Sequence, residues 1–241
     1  SDDTDNPSKL NLRMNTFIMR HSSFSYDLLS ETATPNLFNP KHLKVEDISV
    51  HLMMKALTND SINLNIKRLG LHEQSGLSID KLALRLEANK QQAMLRNFEL
   101  EMPSSHVEID SANVTYLFRN DSLLVSSIAY NGAITNSHIT PSDLRCFNAS
   151  LKNFQRSIYI ETAFSGTWQS LDVPLLSITS DAGDIKVSAN GHIDGLQTKS
   201  PAWNLNVAQL HINDNVTDFI HKNIVQLPAQ LKSIGSLELN G

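Results

Sequence analysis

The chain has 241 residues, with 20 Lys and Arg against 25 Asp and Glu, a formal net charge of −5 and 40% hydrophobic residues. This hydrophobic fraction and modest charge are typical of a folded chain rather than a disordered one. The negative net charge and the lack of a basic cluster argue against nucleic acid as a partner. The single cysteine, Cys146, excludes an internal disulfide and a cysteine-based zinc site.

The two ends of the sequence differ in character. Residues 1–9 are polar and acidic, and we interpret them as a flexible segment that is neither a signal peptide nor a membrane anchor. The other end stops at Gly241, directly after an alternating Leu237-Glu238-Leu239 pattern that is typical of a strand. We therefore expect the chain to be a segment of a longer protein.

Residues 10–138 are dominated by alternation of apolar and polar side chains, which predicts half-buried strands. In the first strand we expect one face to carry Leu10, Leu12, Met14, Thr16 and Ile18, followed by a turn at Arg20-His21-Ser22. The alternation changes phase at Glu46-Asp47 and after Ile109, as an inserted bulge residue would cause. The stretch from Pro35 to Pro40 is predicted to be a loop. Further strands are centred on Val50, Leu64, Leu84, Leu100 and Tyr116.

Residues 139–241 begin with the first of two predicted short helices. Thr140 is a plausible N-cap before Pro141, and the apolar face of this helix comprises Leu144, Phe147, Leu151 and Phe154. The second helix begins near Asn213 and ends before Pro228, and its apolar face comprises Val216, Phe219, Ile220 and Ile224. The pairs Asp143-Leu144 and Asp218-Phe219 lie 75 residues apart, which hints at an internal repeat.

The apolar strand faces must be covered, and two short helices are too few to cover them. Three architectures satisfy this requirement, namely a sandwich, a closed barrel and a long sheet curled into a groove, and the pattern does not separate them. The apolar residues are mainly aliphatic, and Trp168 and Trp203 are the only tryptophans. Aliphatic walls suit acyl chains better than sugars, although the same residues could simply pack against each other.

No catalytic or metal-binding motif is found. The nine histidines show neither HxH nor HxxxH spacing. Ser78 and Lys81 formally match an SxxK motif, but its companion motifs are lacking, so we interpret the match as chance. We predict no enzyme activity, no catalytic residue, no cofactor and no metal site.

Several segments, taken in order, resemble the TamB family, the large AsmA-like translocation and assembly module proteins of Gram-negative bacteria. The resemblance covers residues 36–241. The segments are Phe38-Asn-Pro-Lys-His-Leu43, Val45-Glu-Asp-Ile-Ser-Val50, Ile66-Lys-Arg-Leu-Gly-Leu-His-Glu-Gln-Ser-Gly-Leu77, Phe98-Glu-Leu-Glu-Met-Pro-Ser-Ser-His106, Ile139-Thr-Pro-Ser-Asp-Leu144 and Ile158-Tyr-Ile-Glu-Thr-Ala-Phe-Ser-Gly166.

The resemblance implies an all-β fold: an elongated, curved, mostly antiparallel sheet folded into a taco-like or β-helical groove with an aliphatic interior, plus two short helices. The resemblance also implies that residues 10–138 form a groove segment and that residues 139–241 form a second groove repeat within one continuous unit. It also implies a periplasmic protein, anchored in the inner membrane by an N-terminal helix that this fragment lacks. Its partners would be phospholipid acyl chains and, through other parts of the full-length protein, an outer-membrane barrel of the Omp85 type.

The first functional hypothesis is a lipid conduit that carries phospholipids between the inner and outer membranes. The alternatives are a scaffold that binds strands of outer-membrane proteins during their assembly, and a self-filled β-sandwich of an adhesin or carbohydrate-binding protein. For the conduit, the candidate groove-lining residues are Leu10, Leu12, Met14, Leu64, Leu82, Leu84, Leu86, Ile158, Ile160, Leu205 and Val207.

Overall fold

The computed structural model describes residues 10–223 and 237–240 of the chain, with side-chain surroundings for residues 10–219. The strands are β1 (Asn11–Asp27), β2 (His42–Thr58), β3 (Ile62–Glu73), β4 (Ser78–Ala88), β5 (Gln92–Glu101), β6 (His106–Arg119), β7 (Ser122–Ile139), β8 (Ile158–Thr167), β9 (Ser170–Ser180), β10 (Ile185–Asp194), β11 (Ala202–Ile212) and β12 (Leu237–Asn240). Two short 3-10 helices cover Pro141–Leu144 and Ala149–Asn153, and one α-helix, α1, covers Asp214–Asn223.

All twelve strands form one antiparallel sheet in which each strand pairs with the next along the chain. The sheet runs from β7 into β8 without a break, so residues 10–138 and 139–223 belong to one continuous unit. β1 and β12 are its outer strands and do not pair with each other. The all-β, open and curled architecture predicted above is therefore confirmed, and the described residues form neither a sandwich nor a closed barrel.

The sheet curls because its strands carry bulges. His21, Asp47, Asn97 and Asn136 lie within strands and have φ between 45° and 51°. Register shifts accompany them, for example between Glu46 and Ser49 on β2, where the sequence predicted a bulge. An extra residue on one strand bends that strand and increases its twist. The predicted second shift is also present, between Glu108 and Ala112 on β6.

One row of mainly apolar side chains crosses the sheet from β1 to β11, and we call it the long row. Directly paired residues of an antiparallel sheet point to the same face, so the register fixes its members. Ten steps of ~4.8 Å between neighbouring strands make this row roughly 48 Å long. Its members are Leu12, Leu57, Ile62, Ala88, Ala93, Val114, Tyr130, Gly166, Leu171, Ile193 and Trp203.

Further apolar rows lie on the same face, which we call the apolar face. One crosses β1 to β8 and comprises Met14, Met54, Leu64, Leu86, Leu95, Ala112, Gly132 and Phe164. Another crosses β1 to β6 and comprises Met19, Val50, Leu69, Leu82, Leu100 and Val107. The opposite, polar face carries side chains such as Arg85, which pairs with Asn65 and Arg96.

The two edges formed by the strand ends differ. At the capped edge, β7 ends and β8 begins, and both 3-10 helices and the start of α1 lie there. Apart from Val50, the buried side chains of the described residues all lie at this edge. The open edge is formed by the turns at 58–62, 88–92, 119–122, 167–170 and 194–202, and no helix lies there among the described residues.

The first strand differs from its prediction. The predicted turn at Arg20-His21-Ser22 is wrong, because β1 is continuous from Asn11 to Asp27 and His21 is a bulge. The predicted place of Ile18 is also wrong. A register shift between Met14 and Phe17 places Phe17 opposite Leu52 on the apolar face and Ile18 opposite His51 on the polar face.

The first predicted helix is two 3-10 helices rather than one longer helix. Thr140 makes no side-chain capping bond; its hydroxyl instead donates to the carbonyl oxygen of Ser104 at 2.7 Å. Asn148 caps the second 3-10 helix by accepting from the backbone N–H of Ser150. The second predicted helix is present as α1. The predictions for residues 1–9, the Ile220 and Ile224 side chains, Pro228 and Gly241 lie outside the described residues.

The chain exposes far more surface than a compact protein of its mass. Its accessible surface is 15692 Å² at 26.8 kDa. A compact monomer of that mass exposes about 10,800 Å². The excess fits a single-layered sheet, and the described strands form no second layer over its apolar face.

Candidate functional site

The candidate site is the apolar face of β1 to β11, which we call the trough. The predicted groove-lining residues lie on this face by register, except Leu10, which precedes β1. Leu12 belongs to the long row, Leu84 pairs with Ile66, and Ile160 pairs with Ile178. The others are placed there by the same pairings, and they comprise Met14, Leu64, Leu82, Leu86, Ile158, Leu205 and Val207.

Two glycines let large side chains lie across the trough. A Cβ at Gly132 would come within 2.8 Å of the Phe164 ring, and a Cβ at Gly191 would come within 2.4 Å of Leu205 Cδ2. Both distances are shorter than van der Waals contact allows, so a side chain at either position would push the neighbouring apolar group away from the sheet.

The capped edge closes the trough at the β8–β11 end with a small apolar core. Phe154, Ile185 and Val216 are buried there, and Val216 of α1 is only 2% exposed. The rings of Phe154 and Phe219 lie 4.9 Å apart. Ile158 and Ile178 of the apolar face pack against the same core. α1 therefore covers the ends of these strands.

A buried polar network fixes the first 3-10 helix to the β5–β6 turn. The Asp143 carboxylate is 4% exposed and accepts hydrogen bonds from the Ser104 backbone N–H at 2.9 Å and the Ser105 hydroxyl at 2.7 Å. The Thr140 backbone N–H donates to Ser105 Oγ at 2.9 Å. The hydrogen bonds to Asp143 and Ser105 offset part of the cost of removing these polar groups from water.

The open edge remains in contact with water. Leu12 is 42% exposed, Leu205 is 52% exposed and Trp203 is 68% exposed, although all three are on the apolar face. The β6–β7 hairpin extends past its neighbours and exposes further apolar side chains, which include Leu117, Phe118, Leu123, Leu124 and Val125. A guest molecule that covered these groups would remove apolar area from water.

The polar face carries one histidine with a perturbed pKa. His192 of β10 lies between Asp172 of β9 at 2.6 Å and Asp194 at 2.8 Å, and its partner on β11 is Asn204. The hydrogen bonds to Asp194 and Asp172 raise the pKa of His192 above 6.5. A raised folded-state pKa gives stability that is complete below pH ~6.5 and is lost as the pH rises through the folded-state pKa.

This arrangement predicts a pH-dependent stability difference between the wild type and His192→Gln. Below pH ~6.5 the wild type is expected to be the more stable protein, and the difference should shrink as the pH rises past the raised pKa. Urea unfolding of both proteins from pH 5 to pH 9 measures the difference. A difference that is constant over this range would contradict the assignment.

One cluster of possible metal ligands does not follow from the HxH and HxxxH spacings considered in the sequence. Glu99, Glu101 and His106 bring three possible metal ligands within 4.8 Å of one another on the β5–β6 hairpin. However, Lys81 Nζ lies 2.7 Å from Glu99 and 3.7 Å from Glu101, so an ammonium group already pairs with both carboxylates and competes with a metal ion. The hairpin around Pro103 is the signal that could have revealed the cluster, because it pairs Glu101 with His106.

The remaining residues considered from the sequence, Ser78, Lys81 and Cys146, make contacts within the fold. Lys81 of the SxxK match is ion-paired with Glu99, and the hydroxyl of Ser78 donates to Asp80 at 3.4 Å. Cys146 is 1% exposed, and burial raises the pKa of its thiol.

Among the described residues, no helix has both the length and the apolar character needed to cross a bilayer. No protein-family model, curated protein or solved structure matches the chain.

Proposed function

We propose that this chain is a segment of a periplasmic TamB-like protein whose trough carries phospholipids between the inner and outer membranes. The acyl chains lie on the apolar face, and the headgroups stay in water at the open edge. The process is passive, because the trough supplies a continuous apolar surface and no bond is made or broken. A partner barrel of the Omp85 type would bind through other parts of the full-length protein.

The observation that carries this proposal is the long row. It crosses eleven strands, and its only polar atom beyond the backbone and the Trp203 indole nitrogen is the Tyr130 hydroxyl, which donates to the carbonyl oxygen of Ser170 at 3.1 Å. A self-contained core does not need an apolar row that stays open to water over this length, whereas a passage for acyl chains needs such a row.

The aliphatic character of the trough supports acyl chains over ligands that need directional contacts. The strands β3 and β4 contribute Leu64 beside Leu86 and Ile66 beside Leu84. Each acyl methylene moved from water into full contact with such a surface contributes about 0.8 kcal/mol. The contribution is non-directional, so a lipid can slide from one strand to the next without losing a specific bond.

Photo-crosslinking from matched neighbouring positions tests the proposal. A diazirine amino acid is placed at Leu84 or Ile160 on the apolar face, and at Arg85 or Glu161 on the polar face. The purified chain is then illuminated with vesicles of phosphatidylethanolamine and phosphatidylglycerol. Leu84 and Ile160 are expected to capture at least ten times more lipid than their neighbours. Equal capture from both faces would contradict the proposal.

A second candidate function is a scaffold for strands of outer-membrane proteins. It rests on β1, whose outer edge has no strand partner among the described residues over 17 positions. Backbone N–H and C=O groups on such an edge can pair with an incoming strand of any sequence. Ile18 and Phe24, both 52% exposed, would add apolar contacts.

The same crosslinking method separates this candidate from lipid transfer. A probe at Ile18 is expected to capture an unfolded outer-membrane barrel protein if the scaffold role is correct. Capture of that protein together with no lipid capture at Leu84 would favour the scaffold over the conduit.

A further inference from the structure

A cavity at the open edge lies where the trough meets three turns, and we call it the turn pocket. It has a volume of about 400 Å³ and is lined by residues 58–62, 88–90, Tyr116, Phe118 and Asp121. This volume falls within the range of about 300–1,000 Å³ for small-molecule sites. It is a separate feature from the capped edge and the polar face described above.

The wall of the turn pocket is held in place by hydrogen bonds. The Tyr116 hydroxyl donates to the carbonyl oxygen of Asn89 at 2.8 Å, and the Tyr116 and Phe118 rings meet edge-on with centroids 5.8 Å apart. The Asn89 side-chain oxygen accepts from the backbone N–H groups of Gln91 and Gln92. These bonds tie the β6–β7 hairpin to the β4–β5 turn, so the cavity exists before any ligand enters.

The floor of the turn pocket belongs to the trough. Ile62 and Ala88 line the pocket and are also neighbouring members of the long row. From them, Leu64 and Leu86 continue the apolar face along β3 and β4. A molecule with a polar end in the pocket would therefore have its apolar part on the trough.

The rim of the turn pocket carries both signs of charge. Lys90 Nζ lies 2.9 Å from Asp60 Oδ1, and Asp121 lines the same cavity. The hydrogen bond with Asp60 raises the pKa of Lys90, and the charge of Asp121 raises it further. With one ammonium and two carboxylates, the rim has a net charge of −1.

We infer that the turn pocket binds the headgroup of a glycerophospholipid that carries both a phosphate and a primary ammonium group. Lys90 then pairs with the phosphate instead of with Asp60, and the ligand's ammonium group lies between Asp60 and Asp121 and offsets one of their two negative charges. A purely anionic headgroup would leave both carboxylates next to a phosphate without a counter-charge. The inference rests on the proposed function, because it requires acyl chains to lie on the trough.

Equilibrium binding of two acyl-labelled fluorescent lipids to the purified chain tests the inference. The probes are phosphatidylethanolamine and phosphatidylglycerol with identical acyl chains. The wild type is expected to bind the ethanolamine lipid about fivefold more tightly, which corresponds to about 1 kcal/mol. Asp121→Lys is expected to reverse this preference. Asp110→Lys makes the same charge change on β6 outside the turn pocket, and it should keep the wild-type preference.

The outcomes separate this inference from the proposed function. Equal binding of both lipids by the wild type, or an unchanged preference in Asp121→Lys, overturns the headgroup site and leaves the conduit standing. No binding of either lipid overturns both. Glycerophosphoethanolamine without acyl chains should not displace the bound lipid at equimolar concentration. If it does, the pocket binds a soluble phosphoester rather than a lipid.

Discussion

Replacing Leu84 with aspartate is expected to lower phospholipid transfer between vesicles by at least tenfold. Leu84 lies in the middle of β4 on the apolar face, opposite Ile66. A carboxylate there faces the acyl path without a partner, and burying it under lipid costs several kcal/mol. A cost of ~1.4 kcal/mol already lowers an equilibrium constant for lipid binding tenfold. The unloaded trough stays hydrated, so the same substitution should have little effect on the free energy of unfolding.

The matched control is Arg85→Asp, which introduces the same side chain one residue away. Arg85 is on the polar face and pairs with Arg96, so an aspartate there gains a cationic neighbour and does not meet the lipid. Transfer of a fluorescent phospholipid between donor and acceptor vesicles, measured beside urea unfolding, compares the two variants. Equal transfer by Leu84→Asp and Arg85→Asp would show that the apolar face is not the lipid path.

Replacing Val216 with aspartate is expected to cause the largest loss of stability in this chain. Val216 is 2% exposed and packs with Phe154 and Ile185 where α1 covers the strand ends. An unpaired charge in this core costs roughly 3–5 kcal/mol, which favours detachment of α1 from the sheet. Urea unfolding followed by circular dichroism measures the loss.

Asn215→Asp is the matched control for this prediction, because Asn215 is the exposed neighbour on the same helix turn. A negative charge near the start of α1 is favourable to the helix dipole, so this control should unfold at the wild-type urea concentration or slightly above it. If both variants unfold at the same urea concentration, α1 does not hold the capped edge.

The strand faces were predictable where the alternation is unbroken. On β4, Leu82, Leu84 and Leu86 were expected on one face, and the structure places them there. On β1 the same reasoning failed for Ile18, because the register shift between Met14 and Phe17 reverses the alternation. Phe17, Ile18 and Met19 are all apolar, so the alternation within β1 does not reveal on which side of Ile18 the apolar face continues.

The open architecture could not be derived from the pattern, because a sandwich, a barrel and a trough need the same alternation. What separates them is pairing between distant residues, such as Tyr130 of β7 with Gly166 of β8. The turn pocket was missed for the same reason. Lys90, Asp60 and Asp121 lie far apart in sequence, and only the strand order brings their turns to one edge.

Native mass spectrometry of the purified chain tests most directly whether the trough stays open and binds lipid. We expect a species heavier than the 26.8 kDa chain by the mass of one or more phospholipids. Tandem dissociation should release those lipids intact, and Leu84→Asp should lose most of them. A wild-type spectrum that contains only the bare chain, after purification from lipid-containing extract without detergent, would contradict this expectation.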